Sequence, residues 1–327
     1  MNILIISTGN EFSYYKGNFS PHVKGPVEAL RKIGINIDVF QITSRGLRGY
    51  MQSIPKLKIK LKEKKFDIIH AHYGLCGIIA AIVRKREKLV VSYMGTDLLG
   101  MVNNKGKYTF IGWLYVFLNK IIASFFNDNS IVKAQIMKTK LWKKSNVSVI
   151  PNGVNLKVFY PIKQEEAKKK LNILLEKKII LFIGDSNGMP VKNIKLAYKA
   201  IDLLDINDIE FRIVSGVSQE ELNYYYNSAS LLLLTSFHEG SPNVIKEAMA
   251  TNCPIVSTAV GDVPELIKDI DGCFVCNHNE QDIADKIYRA ISFENRTFGR
   301  DRLINLKLKI EDTANSIIHI YKEILTN

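Results

Sequence analysis

The sequence predicts an α/β protein made of two doubly wound domains with mostly parallel sheets. Apolar, strand-like runs alternate with helical patterns along the chain, which favours parallel strands covered by helices on both faces. The alternation starts again after Tyr160, and 327 residues exceed what one hydrophobic core usually fills. We therefore expect two Rossmann-like domains, an amino-terminal one over residues 1–160 and a carboxyl-terminal one over residues 161–327.

The first domain is predicted from four strand-like runs and the helices between them. Helical patterns cover residues 23–33 and 75–85, and a lysine-rich helix lies between the second and third strands. The strands are predicted at "ILIIS", "INIDVF", "FDIIHAH" and "KLVVSY".

The second domain repeats this order, with helices at 193–204 and 243–251. Its strands are predicted at "KIILFIGD", "IEFRIVSG", "SLLLLTS", "CPIVST" and "GCFVCN". The preceding stretch "SVIPNGVNLKVFYP" contains Pro151, Gly153 and Pro161, which is typical of a turn-rich connection between domains. In sheets of this kind ligands bind beyond the carboxyl ends of the strands.

The composition is that of an ordinary soluble globular protein, with 46% hydrophobic and 24% charged residues. The opening "MNILIISTGN" resembles a buried strand rather than a signal peptide, and no run is long enough to predict a membrane span. The four cysteines have no repeating spacing, so we expect a cytoplasmic location. Cys273 and Cys276 form a CxxC inside a predicted strand, which favours a structural role over metal binding.

The net charge of +13 is unevenly distributed. Residues 1–160 hold 25 Lys+Arg and 8 Asp+Glu, a net charge of +17, whereas residues 161–327 hold 20 and 24, a net charge of −4. The two halves are therefore expected to meet partners of different charge.

The stretch "FHEGSPNVIKEAMATNCPIVST" places Glu239 just before a helical run and Glu247 inside it. Ser241 is predicted as the N-cap and Pro242 as the first helical residue. The amides of Asn243 and Val244, together with the helix dipole, would then form a site for an anion such as a diphosphate. The two carboxylates are candidates for binding opposite ends of a sugar nucleotide. The spacing fits equally well with two glutamates that are merely solvated and have no ligand.

This arrangement, E-x7-E followed by "AMATNCPIVSTAVGDVPELI", resembles the signature of the retaining glycosyltransferases of family 4, which have the GT-B fold. The stretches "VIPNGVNLKVFYP", "YYNSASLLLLTS" and "FDIIHAH" agree with the family in order. "TSFHEGSPNVIKEAM" and "VKN" are most similar to bacterial teichuronic-acid and exopolysaccharide enzymes. The resemblance implies two Rossmann-like domains facing each other across a cleft, with a final helix at about 309–325 that returns to the first domain.

The resemblance also implies roles for residues of the second half. Glu247 would bind the ribose, Glu239 would act in catalysis at the sugar, and Lys192 would neutralise the diphosphate. The donor site would also include Gly184, Ser241, Asn243 and Val244. Many relatives have an arginine right after the glycine that ends the first strand, where this chain has Asp185, and the segment "VSQEEL" is shortened.

In the first half the resemblance implies an acceptor site. His72 is the second catalytic candidate and Asp97, in "SYMGTDL", is an acceptor-side candidate, while Met94 stands where many relatives have histidine. Gly17, in "YYKGNFSPH", matches a loop that closes over donor and acceptor, and the resemblance assigns it to the donor site. A purely structural role fits His72 and Asp97 equally well.

By resemblance the reaction would retain the configuration at the sugar carbon, with the leaving diphosphate deprotonating the acceptor hydroxyl. No cofactor and no metal are expected, and the substrate would be a nucleoside-diphosphate sugar, with a UDP-sugar favoured. The acceptor would be a glycan or a lipid-linked glycan of cell-surface polysaccharide biosynthesis.

The basic first half raises the possibility of peripheral binding to an anionic membrane on the cytoplasmic side. The runs "KLKIKLKEKK" and "RKREK" fit either solvated helix faces or such a surface. The stretch "IGWLYVFLNKIIASFF" is too short to span a bilayer, and we expect a buried core helix there, with an interfacial helix as the second alternative.

Two other functions remain open at this point. A sugar-nucleotide epimerase would share the architecture, but the glutamate-containing stretch fits transferases better. A basic, non-catalytic protein that binds nucleic acid is the other alternative, although the sequence contains no recognised nucleic-acid module and no such partner is expected.

Overall fold

The computed structural model describes residues 1–8, 21–43, 46–185 and 190–326. The chain divides into two compact units, each built on a parallel sheet. Unit 1 comprises Met1–Met101, Tyr108–Asn152 and Ile310–Asn327, and unit 2 comprises Val102–Lys107 and Gly153–Lys309. The predicted α/β architecture with two parallel sheets is confirmed.

The described part of unit 1 holds a six-stranded parallel sheet in the order β2-β1-β3-β4-β5-β6. Its strands are β1 (Asn2–Thr8), β2 (Asn36–Ile42), β3 (Ile68–His72), β4 (Lys88–Ser92), β5 (Asn129–Val132) and β6 (Val147–Val149). Its helices are α1 (Pro21–Lys32), α2 (Gly46–Glu63), α3 (Gly74–Val83), α4 (Thr96–Leu99), α5 (Phe110–Phe125), α6 (Gln135–Lys138) and α14 (Ile310–Thr326).

Helix α14, from the end of the chain, completes one face of the unit 1 core. Its buried Ile317 and Tyr321 pack in one core with Ile3 and Ile5 of β1. Ile3 and Ile5 lie on the same face of the sheet because side chains two residues apart in a strand point to the same side. The Tyr321 hydroxyl also lies 2.5 Å from Nδ1 of the buried His70. The last helix is therefore part of the first unit's core.

The described part of unit 2 holds a five-stranded parallel sheet in the order β11-β10-β9-β7-β8. Its strands are β7 (Lys178–Ile183), β8 (Ile209–Val214), β9 (Leu231–Leu234), β10 (Ile255–Thr258) and β11 (Cys273–Cys276). Its helices are α7 (Gln164–Lys170), α8 (Ile194–Ile201), α9 (Gln219–Ser228), α10 (Asn243–Ala250), α11 (Val263–Leu266), α12 (Glu280–Ile291) and α13 (Gly299–Asn305), and Pro190–Lys192 forms a 3₁₀ turn.

The change from unit 1 to unit 2 falls between Asn152 and Gly153, eight residues before the boundary expected from the sequence. The connecting stretch belongs to unit 2 because its apolar side chains Val154 and Phe159 are buried in the core of that unit. Its backbone is also bonded there, since the Tyr160 amide donates to Asn223 Oδ1 over 3.1 Å.

Helix α5 is not the buried core helix that its composition predicts. Its inward side is made of small or hydrogen-bonding residues, Gly112, Tyr115, Asn119 and Ala123, while most of its large apolar side chains are exposed. Asn119 faces inward because its amide nitrogen donates to the carbonyl oxygens of Asp97 (3.0 Å) and Tyr115 (3.1 Å). In the described parts of the chain, none of the helices has both the length and the hydropathy needed to cross a bilayer.

Candidate active site

The loops after β7 and β9 meet at the point where the strand order of unit 2 reverses. Strand β8, which follows β7 in the chain, lies on one side of β7, and the next strand, β9, lies on the other side. Such a switch point is the usual ligand site of an open α/β sheet. The amide of Phe237 donates to the Val191 oxygen over 2.8 Å, and the Thr235 hydroxyl lies 3.1 Å from the Lys192 oxygen. The two loops are therefore fixed to each other.

Lys192 and Glu239 form an ion pair across these loops. Lys192 ends the 3₁₀ turn after β7, Glu239 lies in the loop after β9, and the Nζ–Oε1 distance is 2.7 Å. The Ser236 hydroxyl donates to the same carboxylate oxygen over 2.9 Å. The Lys192 side chain is 25% exposed and that of Glu239 19%, so a ligand at the strand ends can reach both.

Glu247 lies inside helix α10 and is only 4% exposed. The hydroxyl of Tyr226, on α9, donates to Glu247 Oε2 over 2.8 Å. Burial raises the pKa of this carboxyl from 4.5 to about 7, against the opposing effects of the Tyr226 hydrogen bond and the charges of Lys246 and Lys192. The side chain therefore changes charge near neutral pH, and a ligand hydroxyl that donates to it favours the carboxylate.

The start of helix α10 differs by one residue from the prediction. The helix begins at Asn243 with Pro242 in the N-cap position, and no side chain caps it, so the assignment of Ser241 as N-cap is wrong. The reason is that the Ser241 hydroxyl is engaged elsewhere: it donates to Asp262 Oδ2 over 2.5 Å and accepts from Lys246 Nζ. Asn243 and Val244 open the helix, and the start of a helix is a favourable position for an anion.

Lys246 is a member of this cluster that the sequence reasoning missed. It is 1% exposed, and its ammonium donates to the hydroxyl and the carbonyl of Ser241, at 2.5 and 3.3 Å. Burial lowers the pKa of Lys246, whereas the nearby carboxylates of Asp262, Glu247 and Glu239 oppose that shift. The signal was present in the sequence as a lysine within the apolar run "NVIKEAMA".

The loops after β10 and β11 support the loop that carries Glu239. Gly261 has φ of +57°, and a Cβ there would lie 2.2 Å from the Gly240 carbonyl oxygen, so only glycine permits this approach. The His278 ring stacks on Phe237, and its Nε2 donates to the Ser236 oxygen over 2.8 Å. Four strand-end loops of unit 2 thus hold one polar cluster in place.

Among the glycines predicted for the donor site, Gly184 lies directly after β7. Its amide donates to the Val214 oxygen over 3.0 Å, and a Cβ on it would lie 3.1 Å from the Phe182 ring, so the loop passes close to its own strand. Gly17 lies outside the described residues.

The acceptor-side candidates lie in unit 1. His72 ends β3, is buried and stacks on His70 with ring centroids 4.4 Å apart. Asp97 is fully buried, and its carboxylate accepts hydrogen bonds from the amides of Gly74, Met94 and Gly95. The Asp97 carboxylate thus holds the loops after β3 and β4 together, and its contact with an acceptor stays a prediction.

The whole fold is similar to that of solved glycosyltransferases. Sucrose-phosphate synthase from Thermosynechococcus elongatus superposes with a TM-score of 0.79 at 18% identity, over 99% of each chain. The Anabaena protein HepE, solved in complex with UDP-glucose, superposes with a TM-score of 0.73 at 14% identity, over 99% of this chain and all of that one. At these identities the likeness shows the fold, which is the GT-B fold of glycosyltransferases.

The sequence comparisons match both halves of the chain to glycosyltransferases. The model described as Glycosyltransferase Family 4 matches residues 16–158, and the one described as Glycosyl transferases group 1 matches residues 213–292. A D-inositol 3-phosphate glycosyltransferase of Nocardioides is 25% identical over 317 residues, which span 79% of this chain and 67% of the relative. The resemblance to the glycosyltransferases of family 4, which the motifs around Glu239 and Glu247 predicted, is thereby confirmed in both halves of the chain.

Proposed function

We propose that unit 2 binds a nucleoside-diphosphate sugar through Lys192, the start of helix α10, Glu239 and Glu247, and that the enzyme transfers the sugar with retention of configuration. The observation that carries this proposal is the convergence of one lysine and two glutamates at the switch point of the unit 2 sheet. A cation and a helix start suit a diphosphate, and carboxylates suit the hydroxyls of sugars.

Each residue takes a distinct part in the proposed reaction. Lys192 and the amides that open α10 stabilise the charge that develops on the leaving diphosphate. Glu247 accepts hydrogen bonds from the ribose, and Glu239 holds hydroxyls of the donor sugar near the reacting carbon. The leaving phosphate removes the proton of the acceptor hydroxyl on the same face of the sugar, so the protein's contribution is positioning and charge stabilisation, without a metal.

The donor is proposed to be a UDP-sugar, which the likeness to a protein solved with UDP-glucose supports. The acceptor is proposed to be a hydroxyl of a glycan or a lipid-linked glycan in cell-surface polysaccharide biosynthesis, on the cytoplasmic side of the membrane. His72 is the proposed acceptor-side catalytic residue, since it ends a strand of unit 1. One relative is named for inositol 3-phosphate, which is also a hydroxyl-bearing acceptor.

The test is turnover of a panel of UDP-, GDP- and ADP-sugars, measured as release of nucleoside diphosphate, with and without a chelator. Glycan primers and detergent-solubilised polyprenyl-linked sugars serve as acceptors, and proton NMR of the product gives the anomeric configuration. The proposal expects chelator-resistant release that Lys192→Ala abolishes and a product with the donor's configuration. A product of inverted configuration, or release that needs a divalent ion, contradicts the mechanism.

A further inference from the structure

Helix α5 turns its large apolar side chains outward. Phe110, Trp113, Phe117 and Phe125 are 77%, 60%, 41% and 61% exposed, whereas the residues that pack inward are small or polar. A helix at a protein surface normally has the opposite arrangement, because burial of apolar area drives its packing. The exposed side of α5 therefore lacks a partner in the described structure.

The exposed aromatic rings form one continuous row that extends beyond the helix. Phe110 and Trp113 have ring centroids 6.2 Å apart, Trp113 and Phe117 5.9 Å, and Phe117 and Trp142 6.2 Å. The Lys144 ammonium lies 3.4 Å from the Phe125 ring centroid. We call this surface the α5 face and define it as Phe110, Trp113, Phe117, Phe125, Trp142 and Lys144.

The surroundings of the α5 face are strongly basic. From Tyr108 to Asn152 the sequence holds six lysines and a single carboxylate, Asp128. That carboxylate is paired with Arg84 at 2.7 Å and Lys88 at 3.5 Å. Four of the six lysines are exposed, namely Lys138, Lys140, Lys143 and Lys144, and the last two directly follow Trp142 of the α5 face.

We propose that the α5 face docks this protein on an anionic lipid bilayer, with α5 lying along the surface. Tryptophan and phenylalanine beside lysine are the side chains that enter the interface between headgroups and acyl chains, where the ammonium groups meet lipid phosphates. The helix has 16 residues and is about 24 Å long, which suits an in-plane position. Helix α5 belongs to unit 1, whereas the residues of the proposed donor site belong to unit 2.

Charge decides between a bilayer and a second copy of the chain. Pairing two α5 faces would bring the lysine cluster of one copy toward that of the other, and like charges in close contact are unfavourable. An anionic bilayer instead offers a complementary charge to the same lysines and an apolar layer to the same rings. The bilayer is therefore the occupant that satisfies both properties of the surface.

The experiment uses the two tryptophans of the chain, Trp113 and Trp142, because both lie on the α5 face. Full-length protein is mixed with vesicles of phosphatidylcholine alone or with phosphatidylglycerol added, at low and high salt. Sedimentation measures binding, and tryptophan emission with brominated lipids measures insertion. We expect binding to anionic vesicles with a blue shift and quenching, weakened by salt.

The variants separate the α5 face from the rest of the basic half. Trp113→Ser with Phe117→Ser should abolish binding, and Lys143→Glu with Lys144→Glu should weaken it by about tenfold or more. Two controls alter exposed residues of unit 2. Phe298→Ser changes an exposed aromatic residue, and Lys169→Glu with Lys170→Glu changes two consecutive exposed lysines. Neither control should change binding to the vesicles. Circular dichroism checks that each variant is folded.

Three results would overturn the inference. One is absence of binding to anionic vesicles at low salt. Another is binding that the Trp113 and Phe117 changes leave intact, since the α2 lysines or another surface would then be responsible. The third is a concentration-dependent dimer, seen by analytical ultracentrifugation, in which the tryptophans are shielded without lipid.

Discussion

Lys192 Nζ lies 2.7 Å from Oε1 of Glu239, so the cation proposed for the donor diphosphate is paired with the carboxylate proposed for the donor sugar. A diphosphate that reaches Lys192 has to compete with Glu239 for the ammonium group. The ion pair therefore keeps the lysine in position before the donor arrives and links phosphate binding to the orientation of the glutamate.

The first prediction concerns Lys192. Lys192→Ala removes the cation next to the phosphates, so affinity for UDP should fall by tenfold or more, since charge-assisted hydrogen bonds contribute about 1.5–3 kcal/mol. Affinity for uridine, which carries no phosphate, should change little. Isothermal titration calorimetry measures both, with Lys195→Ala, an exposed lysine three residues away, as the control. Equal affinity of the variant and the native protein for UDP would contradict the assigned role.

The second prediction concerns Glu239. Glu239→Gln releases Lys192 from its ion pair, so UDP affinity should stay the same or rise while the rate of sugar transfer falls by about a hundredfold. Calorimetry and turnover at saturating donor separate the two effects. A loss of UDP affinity with unchanged turnover would reverse the assignment of roles.

The third prediction is a pH dependence from Glu247. The native carboxyl keeps its proton up to about pH 7, while the unfolded one loses it near 4.5. Because the native state binds more protons in that window, this group makes the free energy of unfolding fall as pH rises from about 4.5 to 7, by on the order of 3 kcal/mol. Glu247→Gln should remove this pH-dependent contribution to the free energy of unfolding. The control Glu265→Gln changes an exposed glutamate and should leave it in place. Urea unfolding at several pH values between 4.5 and 7 measures both variants.

The same carboxyl should make donor binding depend on pH. Ribose hydroxyls donate to the carboxylate, so UDP affinity should increase as pH rises through about 7. Tyr226→Phe removes a hydrogen bond that lowers the pKa of Glu247, and the midpoint should therefore move to higher pH. A flat pH profile of UDP affinity in the native protein would argue against contact between Glu247 and the nucleotide.

The fourth prediction separates backbone strain from crowding at Gly261. Gly216 and Gly261 both have positive φ, but a Cβ on Gly216 meets nothing within 4 Å, whereas one on Gly261 meets the Gly240 oxygen at 2.2 Å. Gly216→Ala should lower the free energy of unfolding by about 1 kcal/mol through strain alone. Gly261→Ala should also displace the loop of Glu239 and reduce transfer. Equal activity of the two variants would show that this close approach does not position Glu239.

The fifth prediction tests the inward polar side of α5. Asn119→Leu leaves the Asp97 carbonyl without its side-chain donor and should lower the free energy of unfolding by about 1–3 kcal/mol. Its neighbour Leu118 is exposed, so Leu118→Asn should stay within about 0.5 kcal/mol. Chemical denaturation of both variants measures the difference, and the opposite order would mean that α5 has its apolar face inward.

The two sheets and the position of α10 could be predicted because local patterns determine them. Strand-like runs, a proline and two glutamates at a fixed spacing identify the helix and its loop without any tertiary information. The exact start of α10 could not be predicted, because the Ser241 hydroxyl donates to Asp262, which lies 21 residues further along the chain. The raised pKa of Glu247 depends in the same way on burial beside Tyr226.

Helix α5 shows the limit of composition as a guide. A helix rich in phenylalanine, tryptophan and leucine is usually a core helix, and this one is not, because Asn119 has its hydrogen-bond partners on the inward side. The hydrogen bond from Asn119 to the Asp97 carbonyl, 22 residues away in the chain, helps to hold this side of the helix inward. The partner, the carbonyl of Asp97, becomes visible only in the folded chain.

The most direct test of the donor site is a thermal-shift panel of UDP, GDP and ADP, with and without chelator, on the native protein and on Lys192→Ala. A ligand at about 100 times its dissociation constant stabilises the native state by roughly 2.7 kcal/mol. We expect a shift of the native protein with UDP that survives chelator and is lost in the variant. A native protein that is folded and shifts with none of the three nucleotides, or a variant that shifts as the native protein does, would contradict it.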